Sequence, residues 1–236
     1  METPPPAATS LMQHLAHRFL LLATLAMVAL APAATPHAQT VPFQTQTFRY
    51  DPPTRAPKGE RKRYVAEPAD AVFADLWAHM EAQGFTLQSV DPQARIIVAQ
   101  FGGDPQPYVD CGRVTQLVDG KPADPPKTYG AARAQIRTAK TVNKRRYGLL
   151  RQMRLDVRLT ARVEEVGKGA RVYANAIYVA TKTTYRLRKG GVPEALLSQE
   201  VISFTSDEVG RFKTGTVCVA NGKAEAIPLE PFKSQS

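Results

Sequence analysis

Histidine and cysteine are scarce in this chain, and their scarcity removes most catalytic readings. Of the four histidines, His14, His17 and His37 fall within the first 38 residues, which leaves only His79 beyond them. One imidazole cannot build a His-rich metal site, and a Ser-His-Asp or Cys-His nucleophile would have to run through that residue. No P-loop, dinucleotide-type GxGxxG, HExxH, GxSxG or metal-spaced CxxC pair is present. Gly102-Gly103 and Gly190-Gly191 read as turns. The neighbouring acids Glu164-Glu165 and Asp207-Glu208 point to opposite faces of an extended chain, a poor arrangement for acid/base work. The expectation is a protein with no catalytic, cofactor-binding or metal residues.

Long hydrophobic runs are also missing. The apolar stretch from Phe19 to Ala31 follows Arg18 and is thirteen residues long, whereas a membrane-spanning helix needs roughly 20. Ala31-Pro32-Ala33 and His37-Ala38 supply small-residue cleavage positions, so residues 1–38 are expected to be a removed export signal. No cysteine near them could carry a lipid. The expected location is the periplasm or the periplasmic face of the outer membrane. Cys111 and Cys218 are the only cysteines, and in an oxidising compartment they are expected to pair. A bridge over so long a loop is worth about 4 to 5 kcal/mol in the chain-entropy model.

Positive charge is plentiful. The net charge is +10, and Lys127 through Arg162 holds eleven basic residues and one acid, Asp156, which matches the whole excess. Arg133, Arg137, Lys140 and Lys144 step by four, three and four, so a helix over 131–142 would set them on one face. With Arg145 and Arg146 they form the candidate site for an anionic surface, flanked by Tyr129 and Tyr147. The expected partner is an envelope protein or an anionic lipid or glycan surface, with peripheral membrane contact; nucleic acid is disfavoured outside the cytoplasm. A solvated loop is the other reading of the same charges.

The rest of the chain organises around one domain. Residues 39–61, with Pro42, Pro52, Pro53 and Pro57, read as an extended linker; residues 62–228 as a single domain with a basic insertion around 113–150; residues 229–236 as a tail. Val72, Phe73, Leu76, Trp77 and Met80 make one apolar stripe of a helix that starts near Pro68 and stops at Gly84. His79 lies at the stripe's margin and reads as structural. Phe85–Val90 and Arg95–Phe101 read as a hairpin. Leu155, Val157, Leu159, Ala161 and Val163 alternate with polar residues, and a β-prone run from Arg171 to Leu187 follows a turn at Gly167, giving a second, stronger hairpin. Residues 193–204 read as a second, shorter helix and residues 214–220 as a final strand. The expected class is α+β: an antiparallel sheet with one long helix packed on a face, and one disulfide.

The strand-helix-hairpin order from Lys62 to Phe101 has Tyr64-Val65-Ala66-Glu67-Pro68 leading the helix and Gln83-Gly84-Phe85 leaving it. It resembles the helix-grip domains of a two-domain lipoprotein component of the outer-membrane β-barrel assembly machinery. Tyr108-Val109-Asp110-Cys111-Gly112 and the block from Cys218 to Glu225 look like the cysteine blocks of a family of small proteobacterial envelope proteins. The chain differs from the assembly lipoprotein in lacking a lipidated cysteine and a second domain. The resemblance implies a noncatalytic binding or scaffold role in the cell envelope, such as an outer-membrane assembly accessory. The alternative is a periplasmic carrier of a small apolar ligand, held between helix and sheet by Trp77, Tyr173 and Tyr178.

Overall fold

A chain that alternates apolar and polar residues over a long stretch can bury one face of a strand, and the residues from Arg145 to Leu187 do so twice in succession. The computed structural model describes residues 46–54, 59–122, 124–142 and 145–232. They open with β1 (Gln46–Asp51) and β2 (Lys62–Val65), then α1 (Ala69–Ala82) and the hairpin of β3 (Thr86–Asp91) and β4 (Ile96–Gly103). Four short strands follow: β5 (Val109–Asp110), β6 (Arg113–Val118), β7 (Lys121–Pro122) and β8 (Thr128–Gly130). The longer strands are β9 (Gln135–Val142), β10 (Arg145–Val166), β11 (Gly169–Leu187) and β12 (Pro193–Thr205). Next come β13 (Val209–Arg211), β14 (Val217–Ala220), the single-turn α2 (Lys223–Ala226) and a 3-10 helix, Ile227–Phe232.

β10 and β11 form one antiparallel ribbon, in register from Gly148↔Leu187 down to Val166↔Gly169. Each strand of the ribbon has two partners in series along its outer edge. β4 pairs with β10 from Leu155 to Arg162, and β9 takes the other end, from Arg145 to Gln152. On β11, β2 pairs at Ala170–Tyr173 and β12 from Ile177 to Leu187. The sheet order is therefore β12-β11-β10-β4-β3, with β2 and β9 sharing the ribbon's two edges. Two smaller sheets, one around β6 and one of β13, β14 and β5, complete the strands.

One face of the ribbon is the core. Leu155, Val157, Leu159, Ala161 and Val163 of β10 are buried, as are Val172, Ala174, Ala176, Tyr178 and Ala180 of β11. The alanines of β11 leave the room that α1 and the C-terminal segment fill with Val72, Leu76, Met80, Leu229 and Phe232. Helix α1 forms where its apolar stripe predicts, burying Val72, Phe73, Leu76 and Met80. It ends in a paired carbonyl-capping arrangement: Phe85 N–H donates to Met80 O and Gly84 N–H to Glu81 O, with Gly84 at φ 75°.

The α+β expectation is nevertheless overturned. Among the described residues there are fourteen strands, and α1, at 14 residues, is the one helix longer than six. The chain is mostly β, and no long helix dominates a face. Residues 193–204 begin with good helix formers, yet they form β12, because pairing with β11 places Phe204 and Ile202 on the apolar interior. Residues 131–142 fail as a helix for the same reason: β9 zips onto β10. At a two-residue period, a step of three sets Arg137 and Lys140 on opposite faces.

The fold also extends past both expected ends. Residues 46–51, inside the segment read as a linker, form β1 and pair with β6. Leu229 and Phe232, read as tail, are buried. Cys111 and Cys218 are bridged, with Cα atoms 4.0 Å apart. Tyr50 of β1 locks onto that junction, its hydroxyl within 3.1 Å of Cys111 O and Val217 O while accepting Val217 N–H at 2.9 Å. Gly112, at φ 79°, permits the approach, since a Cβ there would sit 2.3 Å from Asp51 O. Because the bridge closes a loop spanning 107 positions, replacing both cysteines with serine is expected to lower unfolding free energy by about 4 kcal/mol in urea titration. Denaturing thiol labelling without reductant should find neither sulfur free.

Candidate anionic-surface site

The basic residues of the Lys127–Arg162 segment separate into three environments once the strands are built. Arg154, Arg158 and Arg162 line the solvent face of β10, where Arg154 pairs with Asp156 at 2.9 Å and Arg162 with Glu164. Arg162 also lies over the Tyr173 ring, 5.3 Å from its centroid. Arg151 points inward instead, and burial pushes its guanidinium down against the raising influence of Tyr129. The third group lies at the end of the sheet.

There β9 and β10 run past β11 by three residue pairs: Tyr147↔Lys140, Arg146↔Thr141 and Arg145↔Val142. At about 3.3 Å per residue this is a projection of roughly 10 Å. Alternation sets Lys140 and Arg145 on one face of the projecting hairpin and Arg146 on the other, the face that Arg137 occupies further back along β9, beside Leu150. All four are exposed. Lys144 lies outside the described residues. Arg133 precedes β9 at the far end of that strand, so it does not join the cluster, although it too is exposed.

The turn from β11 to β12 lies beside this tip. Leu187 pairs with Gly148 on one side and with Pro193 on the other, so Arg188 and Lys189 leave the sheet at the same end. Arg137 Nη1 donates to Gly191 O at 3.2 Å, tying β9 to this turn. Lys140, Arg145, Arg146, Arg188 and Lys189 have no ion-pair partner among the described residues. The acid at this end, Glu194, is held by Arg186 at 3.0 Å. Sequence reasoning missed Arg188 and Lys189. Their signal was a basic pair ending a long β-prone run just before Gly190-Gly191, but only the strand register places them at the end of the sheet from which β9 and β10 project.

The proposed pocket residues are not brought together. Tyr178 points into the core and is fully buried, its hydroxyl donating to Glu225 Oε2 at 2.6 Å. Tyr173 lies on the opposite face of the same strand. Trp77 sits on the half-exposed flank of α1, where its Nε1 donates to Glu81 Oε1 at 2.9 Å. Tyr173 instead borders an open groove of about 550 Å³ with Gly59, Glu60, Arg61, Lys62 and Asn175, and neither Trp77 nor Tyr178 lines it.

Two buried polar clusters hold titratable groups, and both are architectural. Glu225 is completely buried and accepts from Tyr178 and from Ser206, while burial and the adjacent carboxylate raise the phenol's pKa and keep it a donor. His79 contacts the same C-terminal segment, its Nε2 3.1 Å from Ile227 O. Under the other end of the sheet, Lys182 is buried over the Phe212 ring, 3.4 Å from Glu200 Oε1 and donating to Thr214 Oγ1. Burial pushes Lys182 down against the pull of Glu200. Burial also pushes the Glu200 carboxyl up, but Thr214 N–H and Lys182 outweigh it and hold it below the ordinary carboxylate range. Among the described residues no group of three or more His, Cys, Asp or Glu could hold a metal ion.

No family model, no curated protein and no solved structure matches the chain. The geometry therefore carries the functional argument alone. It also yields a stability test for the Lys182–Glu200 pair. Glu200→Gln leaves the Lys182 ammonium buried without its counter-charge and should cost about 2 kcal/mol at neutral pH. Because Glu200 is depressed in the folded state, its contribution is complete above the ordinary carboxylate range and is lost as pH falls through the depressed value. The stability gap between parent and variant, followed by urea titration, should accordingly narrow in acid.

Proposed function

We propose that this is an exported, noncatalytic binding or scaffold protein of the cell envelope, in which a rigid sheet presents a basic end to an acidic partner. The observation behind the reading is that two hairpins at one end of the sheet carry exposed cations with no ion-pair partner among the described residues. Of the other arginines of β10, Arg154 and Arg162 pair with neighbouring acids and Arg151 is buried, while Arg158 stays exposed without an ion-pair partner among the described residues, so unpaired charge is densest where the strands project. Near an anionic leaflet each such cation contributes about 1 kcal/mol. Acidic glycans and acidic envelope proteins offer the same complementary charge. The periplasm, or the periplasmic face of the outer membrane, is the compartment in which the leader over residues 1–38 and the paired cysteines make sense together. An accessory role in outer-membrane assembly is the specific form suggested by residues 62–101, which follow the order strand, helix, hairpin.

The test is charge reversal at the projecting hairpin. Lys140→Glu, Arg145→Glu and Arg146→Glu together should lower affinity for dextran sulfate by at least about a hundredfold, with the parent's binding weakening steeply as salt rises. These side chains are exposed, so the fold should persist. Equal binding by parent and variant, or a salt-independent constant, would overturn the assignment. The compartment is checked separately: N-terminal sequencing of protein from the envelope should find a start between Ala34 and Thr40, and an intact Phe19–Ala31 stretch would refute export with cleavage.

A further inference from the structure

The basic end also carries aliphatic side chains in places where a purely electrostatic site has no use for them. Val192 closes the β11–β12 turn, its carbonyl accepting Arg188 N–H at 3.0 Å, and is 46% exposed. Leu196 and Leu197, a little further along β12, are 56% and 52% exposed. Leu196 lies in register with Tyr185, Leu150 and Arg137, so the aliphatics and the cations occupy adjoining rows of the same sheet end. Large aliphatics so close to unpaired Arg188 and Lys189 are a poor choice for solubility.

Resting on the basic-end reading above, we propose that its partner is an anionic lipid bilayer, into whose headgroup region Val192, Leu196 and Leu197 insert while the surrounding cations meet lipid phosphates. An interfacial site needs apolar side chains rimmed by Lys and Arg, and this end of the sheet supplies both. An acidic polysaccharide would engage the cations and leave the three aliphatics in water. Strand addition by a protein partner is opposed by the edge itself. Pro193 removes a donor, and register shifts at Thr184/Tyr185 and Arg186/Leu187 break the ladder beside these residues. No described helix is long and apolar enough to cross a membrane.

The experiment compares parent protein, a Val192→Ser, Leu196→Ser, Leu197→Ser variant and a Val201→Ser control. Val201 is equally exposed but lies further from the tip. Each is sedimented with vesicles of phosphatidylcholine containing one-third phosphatidylglycerol, and each is titrated with dextran sulfate. The parent and the Val201→Ser control should bind the vesicles. The triple serine variant should bind them about tenfold more weakly and keep its affinity for dextran sulfate. Leu196→Trp should shift its emission to the blue on mixing with the vesicles, and this readout decides alone if the serine variant does not fold. Undiminished vesicle binding by the folded serine variant, or an unshifted tryptophan, would overturn insertion. A parent that binds dextran sulfate but not vesicles would sink the bilayer and leave the acidic-partner reading standing, while failure to bind either would remove both.

Discussion

The antiparallel pairing of β10 with β11 is the constraint on which the other elements depend. Neither strand has an interior turn or a proline, so the ribbon is long enough to take two partners in series on each edge. A shorter hairpin would accommodate β2 and β4 over the helix but leave β9 and β12 without a template. Register is set by the alternation: a slip of one residue would turn Leu155, Val157, Leu159 and Ala161 to water and bring Arg154, Arg158 and Arg162 into the core. Burying even one of those guanidiniums unpaired would cost several kcal/mol, so the competing register is excluded by charge as well as by lost burial.

The C-terminal segment closes the open face of the ribbon. The segment from Cys218 to Phe232 is fixed to distant elements by interactions of different kinds: the disulfide to Cys111, the Glu225 carboxylate to Tyr178 and Ser206, His79 to Ile227 O, and Arg63 to Leu229 O. Gly59 and Gly222 touch backbone to backbone, and a Cβ on Gly222 would lie 2.6 Å from the Gly59 Cα. A four-residue helix and a 3-10 turn have little intrinsic stability. They persist because their polar groups are satisfied inside the core and their apolar residues, Leu229 and Phe232, fill it.

What could be read from the sequence follows from where the information is local. The stripe of α1, the alternation of β10 and the turn at Gly167 each sit within one element, and the structure forms them as expected. The cysteine pair was legible from compartment logic. Residues 193–204 and 131–142 were not, because Glu194-Ala195-Leu196-Leu197 has the propensity of a helix and the decisive partner, β11, is a neighbour only in three dimensions. The same limit applied to the site. A helical wheel placed Arg133 with Lys140, whereas strand pairing separates Arg133 from the tip and brings in Arg188 and Lys189 from a later turn. Trp77, Tyr173 and Tyr178 were grouped as the lining of a pocket between helix and sheet, and the two-residue period of β11 puts the tyrosines on opposite faces.

The distribution of charge along β10 separates two roles that a basic strand can have. Projecting hairpins and open edges invite pairing with other chains, and lysine or arginine there is a common defence. Edge defence accounts for Lys140, Arg145 and Arg146 and is well served by Pro193 and the register shifts of β12. It does not account for Val192, Leu196 and Leu197, since exposed aliphatics on an edge increase the hazard that cations reduce. A surface under protection alone would be polar throughout, and one built only for an acidic polymer would be equally polar. Retaining the aliphatics is consistent with an environment that takes up apolar side chains and negative charge partners at once, and the polar-apolar boundary of an anionic bilayer is such an environment.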